Sequence, residues 1–229
     1  MTVTTADTGS FERLHEEETL VERYARMALT FEQRPVDRAL RALDVLIAGT
    51  LLLVTSPLSL LAAFAVRCTG RPVLYRGERV GRAGVVFTMY KFRTLRADSE
   101  TRLAPYLGAQ LTQLTLDEQT RVGRILRRTK VDELPQLVNV VRGDMSLVGP
   151  RPIRPPFFEE LCHEVPAFWQ RLVVRPGLTG LAQLRMSREM SWPEKLAHDV
   201  EFIADRSVRL YLAVIAETAA KVLSGHWGS

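Results

Sequence analysis

The chain has 229 residues, 46% of them hydrophobic and 25% charged, with a formal net charge of +5 and two cysteines. That length suits one domain with appendages and allows a sizeable core. Cys68 and Cys162 form no CxxC pair, and His15, His163, His198 and His226 share no ligand spacing, which argues against a disulfide framework and a zinc site.

Residues 1–33 carry seven acids and three arginines, a net of −4, so the remainder is about +9. The segment has no basic start leading into an apolar core, so it is not a secretory signal. Glu16 to Leu29 reads as a weak surface helix or an unstructured arm. A basic body points to nucleic acid or to an anionic membrane surface. No zinc finger, helix-turn-helix or aromatic RNA-binding pattern is visible, so nucleic acid is not an expected partner.

Val45 to Val66 is a run of 22 residues without a charge, long enough for one bilayer crossing. Ser56-Pro57 stands at its middle, where proline removes a backbone donor and kinks a helix. Arg34, Arg38 and Arg41 precede the run; Arg67, Arg71, Arg76, Arg79 and Arg82 follow it. Basic residues mark the cytoplasmic side, and here both ends claim it. The expected form is a re-entrant helix broken at Ser56-Pro57, with an ordinary span containing a proline as the alternative.

Val73–Tyr75 and Val85–Tyr90 are β-prone, with Gly77, Gly81 and Gly84 between or beside them, and predict a small hairpin. Seven cations accompany it (Arg71, Arg76, Arg79, Arg82, Lys91, Arg93, Arg96) against Glu78. They read either as a solvated face against lipid headgroups or, at Lys91 and Arg93, as contacts to substrate phosphates. Residues 98–120 read as a helix and a loop. Val122, Ile125 and Leu126 then form an apolar stripe among arginines, which predicts an amphipathic interfacial helix.

Arg127 to Leu137 holds two adjacent acids, Asp132 and Glu133, after a run of cations. Thr129 or Asp132 caps a predicted helix that runs to Arg142 and ends at Gly143, with Pro135 in its first turn. A helix start attracts phosphate. Capping explains one acid but not a pair among cations. Met145 to Pro152 reads as an extended segment entering a rigid turn, with Pro150 and Pro152 fixing the backbone of Arg151. Val165, Phe168, Trp169, Leu172 and Val173 fall on one helical face within 157–173. Arg175 to Gly180 reads as a turn-rich loop. A last helix covers about 194–223, and Trp227 is a candidate interface anchor. The fold class is α+β and mostly helical, with an acidic extension 1–33, a membrane segment 34–67 and a body 68–229.

Several runs occur in a fixed order: Ser56-Pro57; Glu78-Arg79-Val80-Gly81; Tyr90-Lys91-Phe92-Arg93-Thr94; Arg121-Val122-Gly123-Arg124; and Asp132-Glu133-Leu134-Pro135-Gln136-Leu137. Gly143 to Pro152 and Arg175 to Gln183 follow. Together they resemble the bacterial polyprenyl-phosphate sugar-1-phosphate transferases, the monotopic phosphoglycosyl transferases, over residues 34–224. The nearer resemblance is to the minimal form of that family, with an acidic extension.

The resemblance implies an enzyme on the cytoplasmic face of the bacterial inner membrane. It implies transfer of a sugar 1-phosphate from a UDP-sugar to polyprenyl (undecaprenyl) phosphate, with Mg²⁺ and release of UMP. Membrane lipids are implied partners, and a homodimer is left open. The family's nucleophilic aspartate falls on Asp132 and its neighbouring acid on Glu133, both candidate metal ligands. Its phosphate-binding arginine falls on Arg127, and its nucleotide-sugar element on Pro150-Arg151-Pro152. Gly77, Lys130-Val131, residues 111–119 and the residues after Gln183 depart from the family pattern, which leaves the sugar unassigned. A non-catalytic membrane scaffold for glycan assembly is the competing reading.

Overall fold

The computed structural model describes residues 34–103, 108–185 and 190–224. The acidic extension and the Trp227 anchor named above lie outside them.

Two helices, α1 (Val36–Val54) and α2 (Ser56–Cys68), meet at Thr55 with a bend of 62°. The break falls one residue before the expected Ser56-Pro57, and its chemistry explains that pair. Pro57 sits in the first turn of α2 and has no N–H for the carbonyl of Leu53. The hydroxyl of Ser56 donates to that carbonyl at 2.8 Å, and Thr55 Oγ1 donates to Leu51 O at 2.7 Å. The bend therefore leaves both carbonyls satisfied, which an apolar surrounding requires. Neither helix alone is long and apolar enough to cross a membrane, whereas the bent pair is by length and composition. Leu53, Leu60 and Phe64 are 78%, 72% and 69% exposed, so this apolar surface is not consumed by the core.

The other face of α1 is buried. Leu40 and Ala48 join the main core with Phe87, Met89, Leu137, Val140, Leu147 and Tyr211. Asp44, among them, is 2% exposed and fully engaged: Oδ1 accepts from Ser146 Oγ, Leu147 N and Tyr211 OH at 2.6–2.8 Å. Burial and this carboxylate both push the Tyr211 hydroxyl well above its ordinary pKa, so the phenol remains a donor.

The hairpin forms as read, with longer strands: β1 (Leu74–Val80) and β2 (Val86–Phe92) pair antiparallel, Tyr75 opposite Lys91 and Val80 opposite Val86. The turn uses positive φ at Ala83 and Gly84. Short helices α3 (Ser99–Leu103) and α4 (Gly108–Asp117) lead to α5 (Arg121–Thr129), capped by Thr120 Oγ1 accepting from Gly123 N.

After α5 come a single 3₁₀ turn (Val131–Glu133) and α6 (Gln136–Arg142), which ends at Gly143 in the left-handed region (φ 100°). Two further strands, β3 (Ser146–Val148) and β4 (Gly177–Thr179), pair in parallel, Ser146 with Gly177 and Val148 with Thr179. The segment read as a turn-rich loop thus contains a strand. The expected helix over 157–173 divides into α7 (Pro155–Glu164) and a 3₁₀ segment (Pro166–Val173), because Pro166 cannot continue the first. After α8 (Leu181–Arg185), the expected last helix is also two: α9 (Trp192–Asp205), with a Ser191–Glu194 capping box, and α10 (Val208–Leu223), capped by Ser207. Between them Arg206 is buried, donating to Asp37 Oδ1 at 2.6 Å and Oδ2 at 3.1 Å and so tying the last two helices to the first turn of α1.

Candidate active site

The site is built around the turn after α5. Thr129 ends that helix and does not start the next: its hydroxyl donates back to Ile125 O at 2.9 Å. Lys130 follows at φ 60°, the left-handed region that non-glycine residues rarely occupy. Such a residue costs on the order of 1–3 kcal/mol and persists where its surroundings fix it. The reversal carries the chain into the 3₁₀ turn of Asp132 and Glu133, with Glu133 N donating to Lys130 O at 3.1 Å. The two acids therefore precede α6 in their own turn, and neither they nor Thr129 supply a side-chain cap to it.

Asp132 is 6% exposed, and among the described residues its Oδ1 has no hydrogen-bond partner. Burial, with the charge of Glu133 next, pushes its pKa up to about 6 against the opposing pull of Lys91, Lys130 and Arg127. Glu133 moves the other way. Burial alone would raise it, but Lys91, Arg151 and Lys130 together bring it down to about 2. Lys91 Nζ donates to Glu133 Oε1 at 2.7 Å. One acid is thus held ionised by a direct partner, while the other is poised, desolvated and unsatisfied.

Three of the cations predicted from sequence, Lys91, Arg127 and Arg151, act on this pair, and Lys130, noted there only as a departure from the family pattern, joins them. Arg127 and Lys91 are felt by Asp132, Lys91 and Arg151 by Glu133, and Lys130 by both. Arg127 is aimed by Thr94, whose Oγ1 accepts from Arg127 Nε at 2.9 Å. Helix α5 can lie on that strand end because residue 123 is glycine: a Cβ there would fall 2.0 Å from the carbonyl oxygen of Thr94. Burial holds the pKa values of Arg127 and Lys130 below their ordinary levels, a cost that nearby carboxylates partly offset.

Arg93 stands apart from the expectation that it meets substrate phosphate. It is 4% exposed, and its guanidinium donates to Pro72 O and Leu95 O at 2.6 Å and to Thr69 Oγ1 at 3.0 Å. It braces the end of α2 against the hairpin and belongs to the frame of the site.

Arg151 is exposed at the edge, and its loop is held from behind. Gly149 N donates to Thr179 O and Gly177 N to Pro150 O, each at 2.8 Å. A Cβ on Gly177 would lie 2.1 Å from Gly149 N, so the two backbones touch only because these positions are glycine. Arg171, paired with buried Asp199 at 2.8 Å, donates to the backbone oxygen of Arg151 at 3.0 Å.

Two further residues complete the arrangement: Asn139, which no sequence signal marked, and Gln136, which lay within a quoted motif run but was given no role there. Asn139 is fully buried: Oδ1 accepts from Tyr90 N at 3.1 Å, and Nδ2 donates to Thr88 O at 2.8 Å. It fixes α6 to the strand that carries Lys91. Gln136 Nε2, four residues after Asp132, is a buried donor with no partner among the described residues.

No group of three or more His, Cys, Asp or Glu among the described residues could hold a metal by itself. Magnesium is usually held by one or two carboxylates together with waters and substrate phosphates. The partnerless Oδ1 of Asp132 beside Glu133 fits that kind of ligation. The arrangement is suited to chemistry at a phosphorus centre: a desolvated carboxylate within a ring of cations.

The family model described as bacterial sugar transferase matches residues 36–225. Three relatives illustrate the similarity. The UDP-N-acetylgalactosamine-undecaprenyl-phosphate N-acetylgalactosaminephosphotransferase of Aeromonas hydrophila is 35% identical over 81% of this chain and 44% of its own length. The UDP-glucose:undecaprenyl-phosphate glucose-1-phosphate transferase of Caulobacter vibrioides is 38% identical over 82% of this chain and 71% of its own length. The exopolysaccharide production protein PSS of Rhizobium leguminosarum is 36% identical over 80% and 94%. The chain therefore spans less than half of the Aeromonas relative and nearly all of the Rhizobium one.

Proposed function

Because the chain belongs to the bacterial sugar transferase family, we propose that it transfers a sugar 1-phosphate from a UDP-sugar to polyprenyl phosphate, releasing UMP. The step would open the assembly of an exopolysaccharide, O-antigen, capsule or protein-linked glycan at a membrane. The names of the Aeromonas and Caulobacter relatives support both the donor class and undecaprenyl phosphate as acceptor.

The observation that carries this reading is the partnerless, buried Oδ1 of Asp132 beside an ionised Glu133. In the proposed reaction the Asp132 carboxylate attacks the phosphorus that bears the sugar. An oxygen–phosphorus bond to Asp132 forms, the bond to the UMP oxygen breaks, and its electron pair leaves with UMP. An oxygen of the acceptor phosphate dianion then attacks the same phosphorus, and Asp132 departs as a carboxylate. No net proton is taken up in either half.

The residues have separate tasks. Arg127, Lys130 and Arg151 offset the charge of a diphosphate approaching a carboxylate. Lys91 holds Glu133 in place, and Glu133 in turn keeps the pKa of Asp132 high enough to preserve basicity. Pro150 and Pro152 hold the backbone of Arg151, and Asp132 and Glu133 would hold Mg²⁺. When bound, that ion would supply Lewis-acid stabilisation of phosphoryl oxygens. The bent helix pair supports a monotopic, re-entrant attachment to the cytoplasmic face of the inner membrane, with Val45, Leu53, Leu60 and Phe64 among the lipid-facing side chains.

The test is UMP release from a panel of UDP-sugars with undecaprenyl phosphate and Mg²⁺. One sugar should support turnover that Asp132→Asn abolishes. Full turnover in that variant would remove Asp132 as nucleophile. No release with any donor would return the scaffold reading.

A further inference from the structure

A cavity of about 330 Å³ lies away from the acid pair. Five arginines line it, Arg38, Arg41, Arg82, Arg175 and Arg206, against two acids, Asp37 and Asp44. It shares no lining residue with the group of Asp132, Glu133, Lys91, Arg127, Lys130 and Arg151. The helix α6 separates the two places: the acid pair precedes its start, while Arg175 Nε donates to Gly143 O at its end at 2.8 Å. Arg41 donates to Val140 O and Val141 O of the same end at 2.6 and 2.8 Å.

Some of this charge is spent. Arg206 is paired with Asp37, and the carbonyls at the end of α6 offset part of Arg41 and Arg175. Arg82 is engaged as well, and among the described residues the formal balance of the lining is five arginines against two acids. The crowding has an energetic trace: after burial, Arg41 and Arg82 are the largest influences that lower the pKa of Arg175. Cations brought together from α1, from the hairpin turn and from the segment before β4 repel one another, so an anion between them is stabilised.

The position of the cavity selects the anion. Its α1 contributors run from Asp37 to Asp44, and the exposed apolar surface of that helix begins at Val45. The cavity therefore adjoins the end of the apolar surface, the depth at which phosphate groups lie if that surface enters lipid. Arg38, Arg41 and Arg82 come from both basic flanks of the apolar run, and the fold gathers them on one side. Guanidinium groups match phosphate oxygens in geometry as well as charge. A volume near 330 Å³ is at the lower end of the range of small-ligand sites, about 300–1,000 Å³, which suits a headgroup.

We propose that the arginine-lined cavity between α1, the hairpin turn and the segment before β4 binds a phosphate group, from an anionic phospholipid headgroup or from a soluble phosphate. The phosphate held there is not the one transferred, since no residue of the acid-pair cluster reaches the cavity lining. The inference rests on the fold and charge of this cavity and stands or falls separately from the transfer reaction.

The experiment has two arms. Full-length protein in nanodiscs of phosphatidylcholine, alone or with phosphatidylglycerol, is released into native mass spectrometry and retained lipids are counted. In neutral detergent, the same protein is titrated with inorganic phosphate and its affinity measured by calorimetry. The variants are Arg38→Gln/Arg82→Gln, the charge-keeping Arg82→Lys, and Arg128→Gln as a cation outside the cavity. Binding in either arm should fall by about tenfold or more in the double variant, the scale of one charge-assisted hydrogen bond. Arg82→Lys should keep most of it and Arg128→Gln all of it. Retention of phosphatidylglycerol without phosphate affinity assigns the lipid source, and the reverse assigns the soluble one. If the double variant has a lowered unfolding midpoint, Arg38→Gln alone, at an exposed position, carries the comparison. Equal binding by wild type and the cavity variants, an equal loss in Arg128→Gln, or no binding in either arm would overturn the proposal.

Discussion

Lys91 Nζ donates to Glu133 Oε1 at 2.7 Å, and through that bond the hairpin fixes the charge beside Asp132. Lys91 pulls the pKa of Asp132 down and Glu133 pushes it up, from either side of a value near 6. An attacking Asp132 must be ionised, so the rate of UMP release should rise with pH through about 6 and level off above. Removing the cation in Lys91→Gln disfavours the carboxylate and should move this rise to higher pH. Removing the anion in Glu133→Gln should move it to lower pH. Initial rates across pH 4.5 to 8.5 check both signs, and shifts in the same direction would refute the coupling.

Gly123→Ala places a Cβ where 2.0 Å separates it from the carbonyl oxygen of Thr94. Neither backbone can yield without moving α5 off the strand end. The cost should be about 1–3 kcal/mol of stability, as for overpacked cores. Activity should fall further than stability alone explains, because Arg127 loses its alignment by Thr94 Oγ1. Denaturant unfolding and turnover on the folded fraction separate the two effects.

Arg93→Met should act on stability and not on substrate affinity. The side chain serves carbonyls of Pro72 and Leu95, and its loss leaves them unpaired at a cost of about 1–3 kcal/mol. The KM for the UDP-sugar should stay near wild type. A raised KM with unchanged unfolding would restore Arg93 to the binding set.

Asp199→Asn should loosen Arg151 from behind. Arg171 would keep its place beside a neutral partner and hold the backbone oxygen of Arg151 less firmly. The KM should rise about fivefold, close to 1 kcal/mol, with a smaller change in kcat. Equal falls in kcat and kcat/KM would instead assign the pair to the transition state.

Much of the frame was legible from local chemistry. The hairpin announced itself by β-prone runs between glycines, α5 by its apolar stripe, and the bend by Ser56-Pro57. Asp132 and Glu133 stood out as an acid pair among cations, Arg151 as an arginine between two prolines and Lys91 as one of two readings of the basic hairpin, whereas the role of Arg127 was carried by the family resemblance alone. What was not legible depends on contacts distant in sequence. Thr129 fits an N-cap by type, yet its hydroxyl serves the preceding helix because Lys130 takes a left-handed conformation. The pairing of β3 with β4 joins segments about thirty residues apart, so no local pattern marks it. Charge counting cannot separate Arg93, consumed by carbonyls, from Lys91, which faces the acid pair. Proline at 166 and the Arg206–Asp37 pair divide helices that periodicity alone runs together.

The central claim is that Asp132 becomes covalently bonded to the sugar-bearing phosphorus. Its most direct measurement is intact and peptide mass spectrometry of the protein incubated with its UDP-sugar and Mg²⁺ in the absence of polyprenyl phosphate. The expected result is a sugar-phosphate adduct on the peptide containing Asp132, with UMP released in equal amount. The adduct should disappear when polyprenyl phosphate is added and be absent from Asp132→Asn. An adduct that persists in Asp132→Asn, or turnover with no adduct and no UMP until the acceptor is present, would contradict it.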